Sequence, residues 1–173
     1  MAKKFKVPKY SWDRSLVTFL SVFYTALWNR LRKPRPLLDS DRVSRFLKKK
    51  GYDRKTGQLT VAAFMPERET ENSRLETSVF RTSTFKSETS VWRLGHLWTV
   101  VNPLWANSGT QPISGRADLI VSDVSAMEPL FLELMPSPHP EHANLLGWEL
   151  EETGQQLQAL LLVQKATWVP NLT

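Results

Sequence analysis

Eleven prolines cut this chain into short pieces, because a proline fixes φ and removes the amide donor that a helix interior or a central strand needs. The apolar residues between them come in runs of strand length. Gln58–Met65 stops at Pro66, Trp98–Val101 at Asn102-Pro103 and Pro129–Met135 at Pro136. These runs predict strands, the last of them buried. Leu75–Thr82, which carries Val79 and Phe80, predicts a further antiparallel strand. Arg116–Val124 predicts another, since Ala117, Leu119 and Val121 alternate with Asp118, Ile120 and Ser122.

Helical patterns fall before, between and after these runs. Asp39, Ser40 and Asp41 are capping residues for a helix with an apolar face of Val43, Phe46 and Leu47, a basic last turn at Lys48–Lys50 and Gly51 as its left-handed cap. Ser87 caps a short helix through Val91, Trp92 and Leu94, closed by Gly95. Glu149–Trp168 reads as a last amphipathic helix through Leu157, Leu160, Leu161, Val163 and Trp168. Residues 102–115 and 136–148 read as long loops. With no regular βαβ alternation, the expected fold is α+β: a small, mostly antiparallel sheet of about five strands with N-terminal, short central and C-terminal helices. It forms one domain over residues 39–173, preceded by an arm over residues 1–38.

That arm carries the sharpest asymmetry in the chain. Residues 1–50 hold fourteen Lys/Arg against three Asp, a charge of +11, whereas residues 51–173 sum to −5. A dense positive segment attracts phosphate or anionic lipid. Within it, Leu16, Phe19, Leu20, Phe23, Leu27 and Leu31 recur at helical spacing, widened by Val17, Tyr24 and Trp28, which predicts a helix from about residue 12 to 33. Pro34 to Leu38 follows as a stiff connector. The uncharged run Ser15–Trp28 is fourteen residues long, roughly 21 Å of helix, against a hydrocarbon core of about 30 Å. It is too short to span a bilayer comfortably. A secretory leader is disfavoured because Arg30, Leu31, Arg32 and Lys33 stand where a small-residue cleavage site belongs.

The chain has no cysteine, which excludes a disulfide scaffold, a thiol nucleophile, an iron–sulfur cluster and every cysteine-bearing zinc site, and which fits a cytoplasmic location. It also lacks a Gly-x-Ser-x-Gly elbow, a Walker A loop and a Gly-x-Gly-x-x-Gly fingerprint. One local cluster remains. Pro136-Ser-Pro-His-Pro-Glu-His142 places His139, Glu141 and His142 in a proline-stiffened loop, where two imidazoles and a carboxylate can move protons or bind metal. The order differs from the His-Glu-x-x-His helix, and a structural loop is the favoured reading. Phe80-Arg81-Thr82-Ser83 together with Glu149-Leu-Glu151 is a weaker pattern, permissive for NAD-dependent ADP-ribosyl transfer.

The reading these features favour is a non-catalytic binding or assembly subunit with no cofactor or metal. Lys3, Lys4, Lys6, Lys9, Arg30, Arg32, Lys33, Arg35, Lys48, Lys49 and Lys50 would contact nucleic acid or a nucleoprotein partner through phosphate. Phe19, Phe23, Trp28, Trp105, Arg116 and Trp148 would face a protein partner, with Arg116 and His142 approaching the two loop tryptophans if the long loops converge. Two alternatives stand beside it: an enzyme centred on His139, Glu141 and His142, and a peripheral membrane protein held by the helix at 12–33.

Overall fold

The structure, a computed structural model, describes residues 35–68, 74–101, 113–136 and 139–171. The helix expected at 12–33 and its basic flanks lie outside the described residues. Strand β1 (Arg42–Leu47) leads through a 3-10 turn at Lys49–Gly51 into a small hairpin, β2 (Tyr52–Asp53) and β3 (Gln58–Leu59). A second 3-10 turn, Val61–Ala63, precedes β4 (Glu67–Arg68) and β5 (Leu75–Arg81). Helix α1 (Glu88–Val101) then crosses to β6 (Gly115–Ile120), which runs into the short α2 (Val121–Ser125). The chain finishes with β7 (Phe131–Leu134), β8 (His142–Leu146), α3 (Glu152–Lys165) and β9 (Thr167–Pro170).

Six strands form one antiparallel sheet in the order β7-β8-β5-β1-β6-β9, with β4 added along the start of β5. The α+β class and the antiparallel sheet agree with the sequence, and the count is one strand above the five expected.

Both faces of the sheet are covered, which explains how the sequence hid its strands. On one face Val43, Leu47, Val79, Ala117, Leu119, Ala143 and Leu145 meet Ala159 and Leu162 of α3, with Val121 and Val124 of α2 joining the same core. On the other, Phe46 and Phe80 meet Val91, Leu94 and Trp98 of α1. Residues 42–47, expected as a helix, are therefore the central strand β1. Val43 and Leu47 serve one core and Phe46 the other, so a strand buried on both sides imitates the spacing of a helix.

Other boundaries move for equally local reasons. Only Gln58–Leu59 of the run at 58–65 is strand. The helix expected to stop at Gly95 continues to Val101 and absorbs the predicted strand at 98–101. Gly95 is there because a Cβ at that position would collide with the Phe46 ring. Arg116–Val124 is strand only to Ile120. The run at 129–135 yields an edge strand, not a buried one, with Phe131 at 48% exposure. Residues 142–146, expected as loop, form β8, whose five residues are all buried between β5 and β7. The last helix ends at Lys165, and Trp168 belongs to β9.

Candidate functional site

Two polar clusters interrupt the cores. The first lies where β1 begins and β5 ends. Arg81, 1% exposed, donates from Nε to Glu141 Oε2 at 2.5 Å and from Nη1 to the carbonyls of Arg35 and Pro36 at 2.8 and 3.2 Å. Asp41 accepts a two-point clamp from Arg35 at 2.6 and 3.0 Å, the hydroxyl of Ser83 at 2.7 Å and the backbone N–H of Leu38 at 2.9 Å. Burial works against the Asp41 charge, but these donors outweigh it and hold its pKa below the usual carboxylate range. Arg35, expected to be a phosphate contact, is thus tied to Asp41.

The histidine loop is drawn into this cluster and divided by it. Glu141 turns to Arg81, on the face of the sheet that carries Val43. His142 turns to the opposite face, where its ring meets Phe80 and Trp98 at 5.2 Å each and its Nδ1–H donates to the Met135 carbonyl at 2.9 Å. His139 accepts the Glu141 N–H on Nδ1 at 3.1 Å and stacks on Phe85. Burial, reinforced by repulsion from His142, pushes its pKa down to about 4, so the ring is neutral at pH 7. The three groups expected to act together therefore have separate partners. Among the described residues no group of three or more His, Asp or Glu side chains is placed to hold a metal ion.

The second cluster was not singled out from the sequence. It lies on the α1 face between β1, β5 and β6, under the start of α1. Arg116 and Asp118 are two apart on β6 and so share a face. Arg116 donates from Nε and Nη2 to the two oxygens of Asp118 at 2.8 and 3.1 Å, and from Nη1 to Glu88 Oε2 at 2.6 Å. Ser44 Oγ donates to Asp118 Oδ1 at 2.6 Å, which commits its only proton, so the Thr82 hydroxyl donates to Ser44 across 2.7 Å. Thr82 in turn accepts from Arg42 Nε at 3.1 Å, and Arg42 Nη2 stands 3.5 Å from Glu88 Oε1. The result is a closed ring of six side chains, two cationic, two anionic and two hydroxyls.

Arg116 lies over Trp92, with its guanidinium carbon 5.0 Å from the indole centroid. Above it opens a cleft of about 520 Å³, walled on the far side by Thr167, Val169 and Pro170 of β9. Glu88 is the exposed member of the ring, with 58% of its side chain in solvent, while those of Arg116 and Asp118 are 2% and 8% exposed. The hydrogen bond from Arg116, helped by Arg42, keeps the Glu88 pKa low. Burial opposes the Arg116 charge, but Asp118 and Glu88 outweigh it and raise its pKa.

The remaining predicted positions scatter. Trp148, expected at a contact surface, is 7% exposed, donates its indole N–H to the Leu145 carbonyl and belongs to the α3 core. Arg116 and His142 share the α1 face, but β5 and β1 lie between their strands. Lys48 follows β1, where burial lowers its pKa against the pull of Glu67. Lys49 and Lys50 fall in the 3-10 turn, Lys50 exposed. Lys3, Lys4, Lys6, Lys9, Phe19, Phe23, Trp28, Arg30, Arg32, Lys33 and Trp105 lie outside the described residues.

No protein-family model matches the chain, and comparison with curated proteins and with solved structures gives no match. Among the described residues no helix is long and apolar enough to cross a membrane.

Proposed function

We propose that this chain is a non-catalytic binding subunit, in which a nearly neutral α+β body carries a basic arm that contacts nucleic acid or a nucleoprotein partner. One observation supports this reading above others: the positive charge is concentrated in the first 34 residues. Residues 1–34 hold eight Lys/Arg against Asp13, a charge of +7, while residues 35–173 hold fifteen against sixteen acids, a charge of −1. Six arginines of the body, at 35, 42, 45, 74, 81 and 116, each have a carboxylate within 4.0 Å. Charge paired inside a fold adds little to the long-range attraction of a polyanion, so Lys3, Lys4, Lys6, Lys9, Arg30, Arg32 and Lys33 would supply it.

Salt-dependent binding of labelled RNA and DNA to the full chain tests this, beside a variant with Lys3, Lys4, Lys6 and Lys9 changed to Ala. The expected result is a log affinity that falls with log salt, by about 0.7 to 0.9 per phosphate contact, and a shallower slope in the variant. Absence of binding at low salt discards the reading. An unchanged slope in the variant removes those lysines from it.

A further inference from the structure

We propose that the cleft between α1 and β9 binds a small organic anion, its carboxylate or phosphate held by Arg42 and Arg116 and its flat apolar body lying on Trp92, Val169 and Pro170. This inference does not depend on the basic arm.

The argument begins with a cost. Arg116 and Asp118 are buried in the sheet, and a buried ion pair is seldom more stable than apolar residues of equal volume. Here the pair lines the floor of a shallow cleft that opens broadly to solvent. Asp118 takes one edge of the Arg116 guanidinium, through Nε and Nη2, and is fixed from behind by Ser44. Nη1 is left facing the cleft, and Arg42 Nη2 faces the same point from the neighbouring strand.

One carboxylate already sits at that point. Glu88 bridges the two arginines, with Oε2 2.6 Å from Arg116 and Oε1 3.5 Å from Arg42. It differs from Asp118 in the respect that matters for exchange: it is mostly in solvent and is the first residue of α1, so its side chain can swing outward without disturbing either core. Once Glu88 leaves, Arg42 and Arg116 face Asp118 alone, and the floor carries one net positive charge. An incoming oxyanion restores neutrality and takes over both hydrogen bonds. It also approaches the first turn of α1, where the helix dipole favours negative charge. Glu88 therefore acts as an internal stand-in for the ligand's head group.

The apolar walls say what else the ligand carries. Inorganic phosphate would fill the Glu88 position and leave the rest of the cleft empty. A ring-bearing anion would use Trp92 and the β9 wall as well.

Calorimetric titration of the full chain with phenyl phosphate, benzoate, inorganic phosphate and phenol separates these contributions, with wild type compared with Glu88→Gln and Arg42→Gln. Glu88→Gln removes the competing charge at nearly constant volume. It is expected to tighten phenyl phosphate or benzoate by about tenfold or more, as expected when a charged competitor for two charge-assisted hydrogen bonds is lost. Arg42→Gln is expected to weaken the same ligands, and the indole N–H resonance of Trp92, assigned through Trp92→Phe, is expected to shift on binding. If phenyl phosphate and benzoate both bind better than inorganic phosphate, the head group is a general oxyanion; if only one does, its chemistry is fixed. Equal affinity of Glu88→Gln and wild type, or phenol binding as well as phenyl phosphate, overturns the proposal.

Discussion

Replacing Asp118 by alanine tests the closed ring most severely. The side chain is 8% exposed and accepts three hydrogen bonds, two from Arg116 and one from Ser44. Its removal leaves the 2%-exposed Arg116 guanidinium with only Glu88, which is itself largely screened by solvent. Breaking a buried ion pair on one side costs about 3–5 kcal/mol, and the Ser44 hydroxyl stranded beside it adds about 1–3 kcal/mol unless it finds a new acceptor. Against a total stability of about 5–15 kcal/mol for a domain, the variant stands at the edge of folding. Urea denaturation reads this directly: with a slope of about 2 kcal/mol per molar, the midpoint falls by roughly 1.5–2.5 M from the ion pair alone and by about 2–4 M with the Ser44 hydroxyl stranded. The double variant Arg116→Met, Asp118→Leu removes both charges and is expected to be far closer to wild type than either single change. If Asp118→Ala costs less than about 1 kcal/mol, or if the two changes simply add, the ring does not carry the coupling assigned to it.

Further outcomes follow from the packing and the backbone. On α3, Leu162→Ala should cost about 2–5 kcal/mol because Leu162 is fully buried, whereas Leu157→Ala, at 59% exposure, should leave the denaturation midpoint near wild type. His139 has a folded pKa of about 4, below its ordinary 6.5. The unfolded chain therefore takes up the proton first, and stability should fall as pH drops from about 6.5 towards 4. His139→Gln should flatten that part of the pH profile, and a ring titration by NMR near 6.5 would refute the assignment. Gly147 has φ +82°, and a Cβ there would run into the Pro129 carbonyl. Gly147→Ala should lower the melting temperature more than a surface change does, and an unaltered melt would contradict the geometry.

What the sequence disclosed about this fold divides along a physical line. Leu75–Arg81 was legible because β-branched and aromatic residues fill it, and the first turns of α1 because Ser87 and the spacing of Val91, Trp92 and Leu94 mark them. β1 was misread because each face of it meets a different core, which replaces strict alternation by a helix-like pattern. β8 was missed because His-Ala-Asn-Leu-Leu has little intrinsic strand preference, and only β5 and β7 on either side impose the extended form. The same limit applies to the site. Arg116 and His142 were visible as residues, but Glu88 lies 28 positions from Arg116, and Phe80 meets His142 only across the sheet. A signal was present in β6: two opposite charges, Arg116 and Asp118, occupy alternate positions of an otherwise apolar strand, where burial demands that they pair.

The entry of the chain into β1 has a mechanical side. Residue 35 enters the sheet through β1, which is flanked by β5 and β6, and Arg81 grips the carbonyls of Arg35 and Pro36 just before the strand begins. A pull at residue 35 would act along β1, across hydrogen bonds that run perpendicular to it on both sides. Those bonds are loaded in shear on two sides at once, whereas an edge strand such as β7 or β9 is held on one side only. The chain thus enters the fold at a strand bonded on both sides, and a load applied at residue 35 would reach β5 and β6 together.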